Sequence, residues 1–84
     1  MRIYTVDWEP EAENDLTNIW LRTSDPAVTT AQNQIDGLLE RDPFGYGRLL
    51  REGLYQIVVA PLTAFYSIDQ TKKIVKVSAV WYTP

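Results

Sequence analysis

Eighty-four residues, 45% of them hydrophobic and 23% charged, allow one globular domain whose core needs nearly every apolar side chain, and exclude a large cofactor cavity. The lack of cysteine excludes disulfides and thiolate chemistry, and the lack of histidine removes the commonest base near neutral pH and the commonest transition-metal ligand. The net charge of −3 divides into −6 over residues 1–46 and +3 over residues 47–84, a thin basic footprint for a nucleic-acid binder.

Met1–Trp8 alternates as a first strand, with Tyr4, Val6 and Trp8 on one side and Ile3, Thr5 and Asp7 on the other. Glu9-Pro10 starts a helix, because proline suits a first helical position whose N–H has no partner in any case. Glu11 and Glu13 favour the positive end of that helix. Ala12, Leu16, Ile19 and Trp20 form its apolar stripe. Asp25-Pro26 repeats the start signal, and Val28, Ala31, Ile35, Leu38 and Leu39 form a second stripe that Arg41 and Pro43 close. The short join predicts a helical hairpin.

Phe44–Gly47 reads as a loop and Arg48–Glu52 as a short edge strand. Strands follow over Leu54–Ala60, Leu62–Asp69 and Lys73–Tyr82, divided by Gly53, Pro61 and the Asp69–Thr71 turn. The order β-α-α-β-β-β-β implies an α+β domain spanning residues 1–84. In it a helical hairpin packs on one face of a small, curved, mainly antiparallel sheet. Alternation puts Tyr55, Ile57, Val59, Val75, Val77, Ala79 and Trp81 in the core. It turns Gln56, Val58, Lys76, Ser78, Val80 and Tyr82 outward.

Several constellations resolve into packing or solvation. Among Glu9, Glu11, Glu13 and Asp15, only residues four apart share a helix face, so a solvated first turn is favoured over a magnesium site. Gly45-x-Gly47 lacks the helix and lysine of a phosphate loop. Trp8, Trp20, Tyr55, Tyr66 and Trp81 fall in phase with the core. Tyr82, Phe65, Phe44 and Tyr46 are left as possible stacking surfaces. The N-terminus has no apolar leader and no run approaches the ~20 apolar residues of a membrane span. The expectation is a cytoplasmic protein without membrane, metal or cofactor.

Trp8-x-Pro10-Glu11-Ala12 leads into Asp15-Leu16-x-x-Ile19-Trp20, followed by Ile35…Leu38 and Asp42-Pro43. Gly47…Leu50…Gly53-Leu54-Tyr55, Tyr66-Ser67-Ile68-Asp69 and Val75-x-Val77-x-x-Val80 complete a pattern that resembles RelE/ParE-type toxins over essentially the whole chain. The resemblance implies the toxin of a type II toxin–antitoxin pair, neutralised by a protein antitoxin. It carries two possible targets: the ribosome and its mRNA, cut by a metal-independent endoribonuclease, or DNA gyrase, inhibited without catalysis. A non-toxic interaction module on the same scaffold is the further alternative.

Where the resemblance places the nuclease's bases, this chain has Gln56, Val58 and Thr63. Candidates left for phosphodiester chemistry are Arg48, Arg51 and Glu52, with Tyr82 as proton donor or stacking platform. The competing reading is that the arginines solubilise an exposed edge strand, and it is favoured. The outward surface formed by Gln56, Val58, Thr63, Phe65, Lys76 and Val80 is the candidate partner-binding face.

Overall fold

The computed structural model describes residues 3–84. Its elements are β1 (Thr5–Trp8), α1 (Pro10–Thr23), α2 (Pro26–Arg41), α3 (Pro43–Tyr46), β2 (Arg48–Arg51), β3 (Leu54–Val59), β4 (Leu62–Asp69) and β5 (Ile74–Tyr82). The expected first two residues of β1 lie outside the described residues. The three helices share one device at their start, a proline in the first turn. Asp25 caps α2 by accepting the Ala27 N–H at 2.9 Å, and Asp42 caps α3 by accepting the Gly45 N–H at 2.9 Å. Phe44–Tyr46, expected as loop, are therefore the rest of a short helical turn.

The five strands form one sheet in the order β1-β5-β4-β3-β2. Antiparallel neighbours run from β2 to β5, and β1 joins the edge of β5 in parallel. The hairpin α1–α2 connects β1 to the rest and covers one side of the sheet. α1 packs on β5, and α2 on β1, β3 and β4. Ala12, Leu16 and Ile19 from α1 and Val28, Ala31, Ile35 and Leu39 from α2 meet Tyr4, Ile57, Leu62, Ala64, Tyr66, Val75, Val77 and Val80 in one buried cluster. Removing a Leu- or Ile-sized side chain from water contributes about 1.5–3 kcal/mol, so this cluster holds the hairpin to the sheet. Trp20, expected in the α1 stripe, is exposed.

Two polar ties fix the helices in register. Trp8 Nε1 donates to Asp36 Oδ1 at 3.0 Å, joining β1 to α2. The Tyr66 hydroxyl, buried beneath α3, donates to the Pro43 carbonyl at 2.6 Å. Burial, followed by the charges of Tyr55 and Asp42, pushes that phenol up to about 12, which keeps it a donor. Gly47 lies directly over it: a Cβ there would collide with the Tyr66 hydroxyl. None of the helices among the described residues is long and apolar enough to cross a membrane.

A bulge decides which side of β5 faces where. Tyr66 pairs with Val77 but Phe65 pairs with Ala79, leaving Ser78 as the extra residue. Its hydroxyl bonds back to the Phe65 carbonyl at 3.4 Å. Beyond Ser78 the alternation is inverted, so Val80 turns into the core and Trp81 turns out, 61% exposed. Strict alternation placed Ala79 and Trp81 in the core and Val80 and Tyr82 outside; all four assignments are reversed. β1 ends opposite Val77, where the Glu9 N–H bonds to the Val77 carbonyl. The bare edge of β5 is then served by α1, whose Asp15 Oδ2 accepts the Val80 N–H at 2.9 Å.

Candidate functional site

Because both major helices cover the same side, the opposite side of the sheet is open. Directly paired residues project from the same side of a ladder, so the register assigns its composition. One row runs Arg48, Gln56, Phe65, Ala79, and the next runs Val58, Thr63, Trp81. Arg51 pairs with Leu54, and Asp7 lies beside Lys76, which pairs with Ser67. Phe65 and Trp81 pack edge to face with ring centroids 4.7 Å apart, a geometry that holds the exposed indole in place. Val58, on the adjacent strand, is 60% exposed. The centre of the face is thus an apolar strip of Val58, Phe65 and Trp81. Its charged residues sit apart, with the two arginines on β2 and Lys76 next to a carboxylate-bearing neighbour.

Of the residues proposed for this face, Gln56, Val58, Phe65 and Lys76 lie on it. Thr63 lies on it too but is buried, with Oγ1 2.9 Å from Thr83 Oγ1. Val80 does not belong to it: the bulge buries Val80 beneath α1. Trp81 takes the place that alternation gave to Val80. Sequence reasoning missed Trp81 because an aromatic residue in a hydrophobic strand reads as core, and nothing local to Ser78 announces an extra residue.

The four residues considered for phosphodiester chemistry divide. Arg48 and Arg51 project from the open side of β2, and Glu52 follows in the exposed turn to β3. Tyr82 lies on the helix side, where its hydroxyl donates to Asp25 Oδ2 at 3.2 Å. Desolvation, then that hydrogen bond and the aspartate's charge, raises its pKa, so the proton stays on the phenol. The tyrosine is a strut between the end of β5 and the α1–α2 joint. It does not share a surface with the arginines.

β2 is the other exposed feature. All four of its residues are exposed, including Leu49 and Leu50, and it forms an edge of the sheet. Leu49 pairs with Tyr55 on the helix side, where Phe44 packs against Tyr55 with ring centroids 5.8 Å apart.

No family model and no curated protein matches the sequence. Solved structures do match. The chain is similar to a chain of the toxin–antitoxin complex RelBE2 from Mycobacterium tuberculosis, with 26% identity, a TM-score of 0.78 and coverage of 94% of this chain and 96% of that one. It is similar to a chain of the chromosomal ParDE system from P. aeruginosa, at 17% identity, TM-score 0.73 and 98% of both chains. It is also similar to the isolated E. coli RelE toxin, at 17% identity, TM-score 0.67, 96% of this chain and 85% of that one. Hairpin, strand number and an uncovered sheet face are explained together by a single assignment: this chain has the RelE/ParE-type toxin fold.

Proposed function

We propose that this chain is the toxin of a two-protein toxin–antitoxin module and that a protein antitoxin neutralises it by covering the open sheet face. The observation that carries the reading is an apolar strip in which the exposed Val58 and Trp81 accompany the half-buried Phe65. A chain this small would be expected to bury such a strip unless another protein does so. Aromatic residues in a partly desolvated strip make good anchors for a partner. The similarity to chains of the RelBE2 complex and the ParDE system supports a protein partner of the antitoxin kind.

A ribonuclease using Arg48, Arg51, Glu52 and Tyr82 is the weaker reading, because the Tyr82 hydroxyl is engaged by Asp25 on the helix side. Inhibition of DNA gyrase needs no such cluster. Cleavage of ribosome-bound mRNA and inhibition of gyrase supercoiling, measured side by side, separate these targets. The toxin reading itself is tested by inducing the chain in a bacterial host, alone and together with each open reading frame adjacent to its gene. Growth arrest alone and recovery on co-expression are expected. Normal growth at good soluble yield of the lone chain contradicts the proposal.

A further inference from the structure

We infer that the cleft where α1, α2 and the end of β1 meet is a binding site for a small organic cation, an alkylammonium group held between two indoles. The site is independent of the antitoxin reading. Trp8, which lines it, pairs with the core residue Val77, so the cleft lies on the helix side of the sheet, away from the apolar strip of the open face.

Helical spacing builds the cleft. Glu13, Leu16 and Trp20 recur at i, i+3 and i+7 on one face of α1. Val28 and Gln32, four apart on α2, form the facing wall, and Trp8 closes the end from β1. The space between them is about 440 Å³, within the range of small-ligand sites. Leu16 and Val28 are buried and give it an apolar floor. Trp20 is 44% exposed although its position continues the apolar stripe of α1. Trp8 is half-buried, and its Nε1–H is already donated to Asp36, which holds the ring. Neither indole packs against another ring among the described residues.

Charge then selects the ligand. Glu13 is exposed at the cleft, Asp36 flanks Trp8, and no basic residue lines the space. Glu13 makes no ion pair among the described residues. A cation over an indole is attracted by the negative face of the ring, and a carboxylate beside it adds a charge-assisted hydrogen bond. A primary ammonium brings three donors. Glu13 and the Gln32 carbonyl offer acceptors for them, and the apolar floor covers the alkyl body. An anion would face the carboxylates, and a neutral apolar ligand would leave Glu13 without a partner. A free amine and a lysine side chain of another protein carry the same chemistry, and the test separates them.

The full chain is titrated at constant ionic strength with three probes: butylammonium chloride, its neutral isostere butan-1-ol, and Nα-acetyl-lysine methylamide. The indole N–H signals of Trp8, Trp20 and Trp81 are followed by NMR. Butylammonium, at roughly millimolar to tens of millimolar concentration, is expected to shift Trp8 and Trp20 but not Trp81. It should bind about tenfold or more tightly than butan-1-ol. Equal binding of the lysine derivative assigns the site to a lysine of another protein, and binding of butylammonium alone assigns it to a free amine. Either result upholds the site.

Glu13→Gln should weaken butylammonium about threefold or more while leaving butan-1-ol unchanged, a readout that a merely destabilised variant would not give. Trp20→Leu should bring the two probes to within about twofold of each other, with the Trp81 signal unmoved as the check on folding. Three results overturn the inference. They are no shift of Trp8 and Trp20 with butylammonium, equal binding of butan-1-ol by the parent chain, and a preference for the cation that survives Glu13→Gln and Trp20→Leu together.

Discussion

Gly47→Ala is expected to be among the most damaging single-methyl additions available to this chain. The residue's φ of −96° and ψ of 179° are ordinary extended backbone, so alanine meets no conformational penalty there. The cost is entirely steric. The new Cβ would overlap the Tyr66 hydroxyl, lie 2.7 Å from the Tyr66 Cζ and lie 3.0 Å from the Gln56 carbonyl oxygen. Tyr66 cannot retreat without giving up its 2.6 Å bond to the Pro43 carbonyl.

Losing that bond within a buried site costs about 1–3 kcal/mol and overpacking adds ~1–3 kcal/mol, together about 2–6 kcal/mol. A chain of this size is expected to have only roughly 4–12 kcal/mol of stability in all. With a urea slope of about 1 kcal/mol/M for a small protein, the unfolding midpoint should fall by ~2 M or more. Tyr66→Phe removes the hydroxyl, so the double variant should be less destabilised than the sum of the singles by at least ~1 kcal/mol. A midpoint within experimental error of the parent, or strict additivity, would refute the argument.

Trp8→Phe keeps an aromatic ring but removes the indole donor to Asp36, and should lower stability by about 1–2 kcal/mol in urea unfolding. Asp15→Ala strips the acceptor from the Val80 N–H; hydrogen exchange at the Val80 amide should accelerate more than at its core neighbours Val75 and Val77. Tyr66 also sets an alkaline limit, because its folded pKa of about 12 stands above the ordinary 10.0. The unfolded chain gives up this proton first, so the contribution is whole below pH 10 and is lost as pH rises from there towards 12. Urea midpoints measured across that range should fall in the parent more steeply than in Tyr66→Phe.

Much of the architecture was legible because its signals are local. Pro10 and Asp25-Pro26 mark both long helices at their observed first residues, and the apolar stripes name the faces that are buried. The Asp42-Pro43 pair was equally legible in principle. It repeats the cap-and-proline device of α2, yet a proline following a helix also reads as a stop, which hides the short helix it begins. What was not legible is set by pairing. The Ser78 bulge arises where β5 must align with β4 on one side while β1 ends and α1 takes over on the other. That one unpaired residue exchanged Val80 for Trp81 on the open face and moved Tyr82 to Asp25. The role of Gly47 was equally hidden, since its constraint is a tyrosine nineteen positions away in sequence.

The open face is the centre of this account, and replacing Val58 and Trp81 together by aspartate tests it most directly. Both side chains are more than half exposed, so the doubly substituted chain should fold with an unfolding midpoint close to the parent's. Calorimetric titration with the protein encoded by the neighbouring frame should then show affinity reduced by about a hundredfold or more, as expected when anchor residues at the centre of an interface are lost. Unchanged affinity in a folded variant would mean that the partner sits elsewhere and that this face is not where the chain is neutralised.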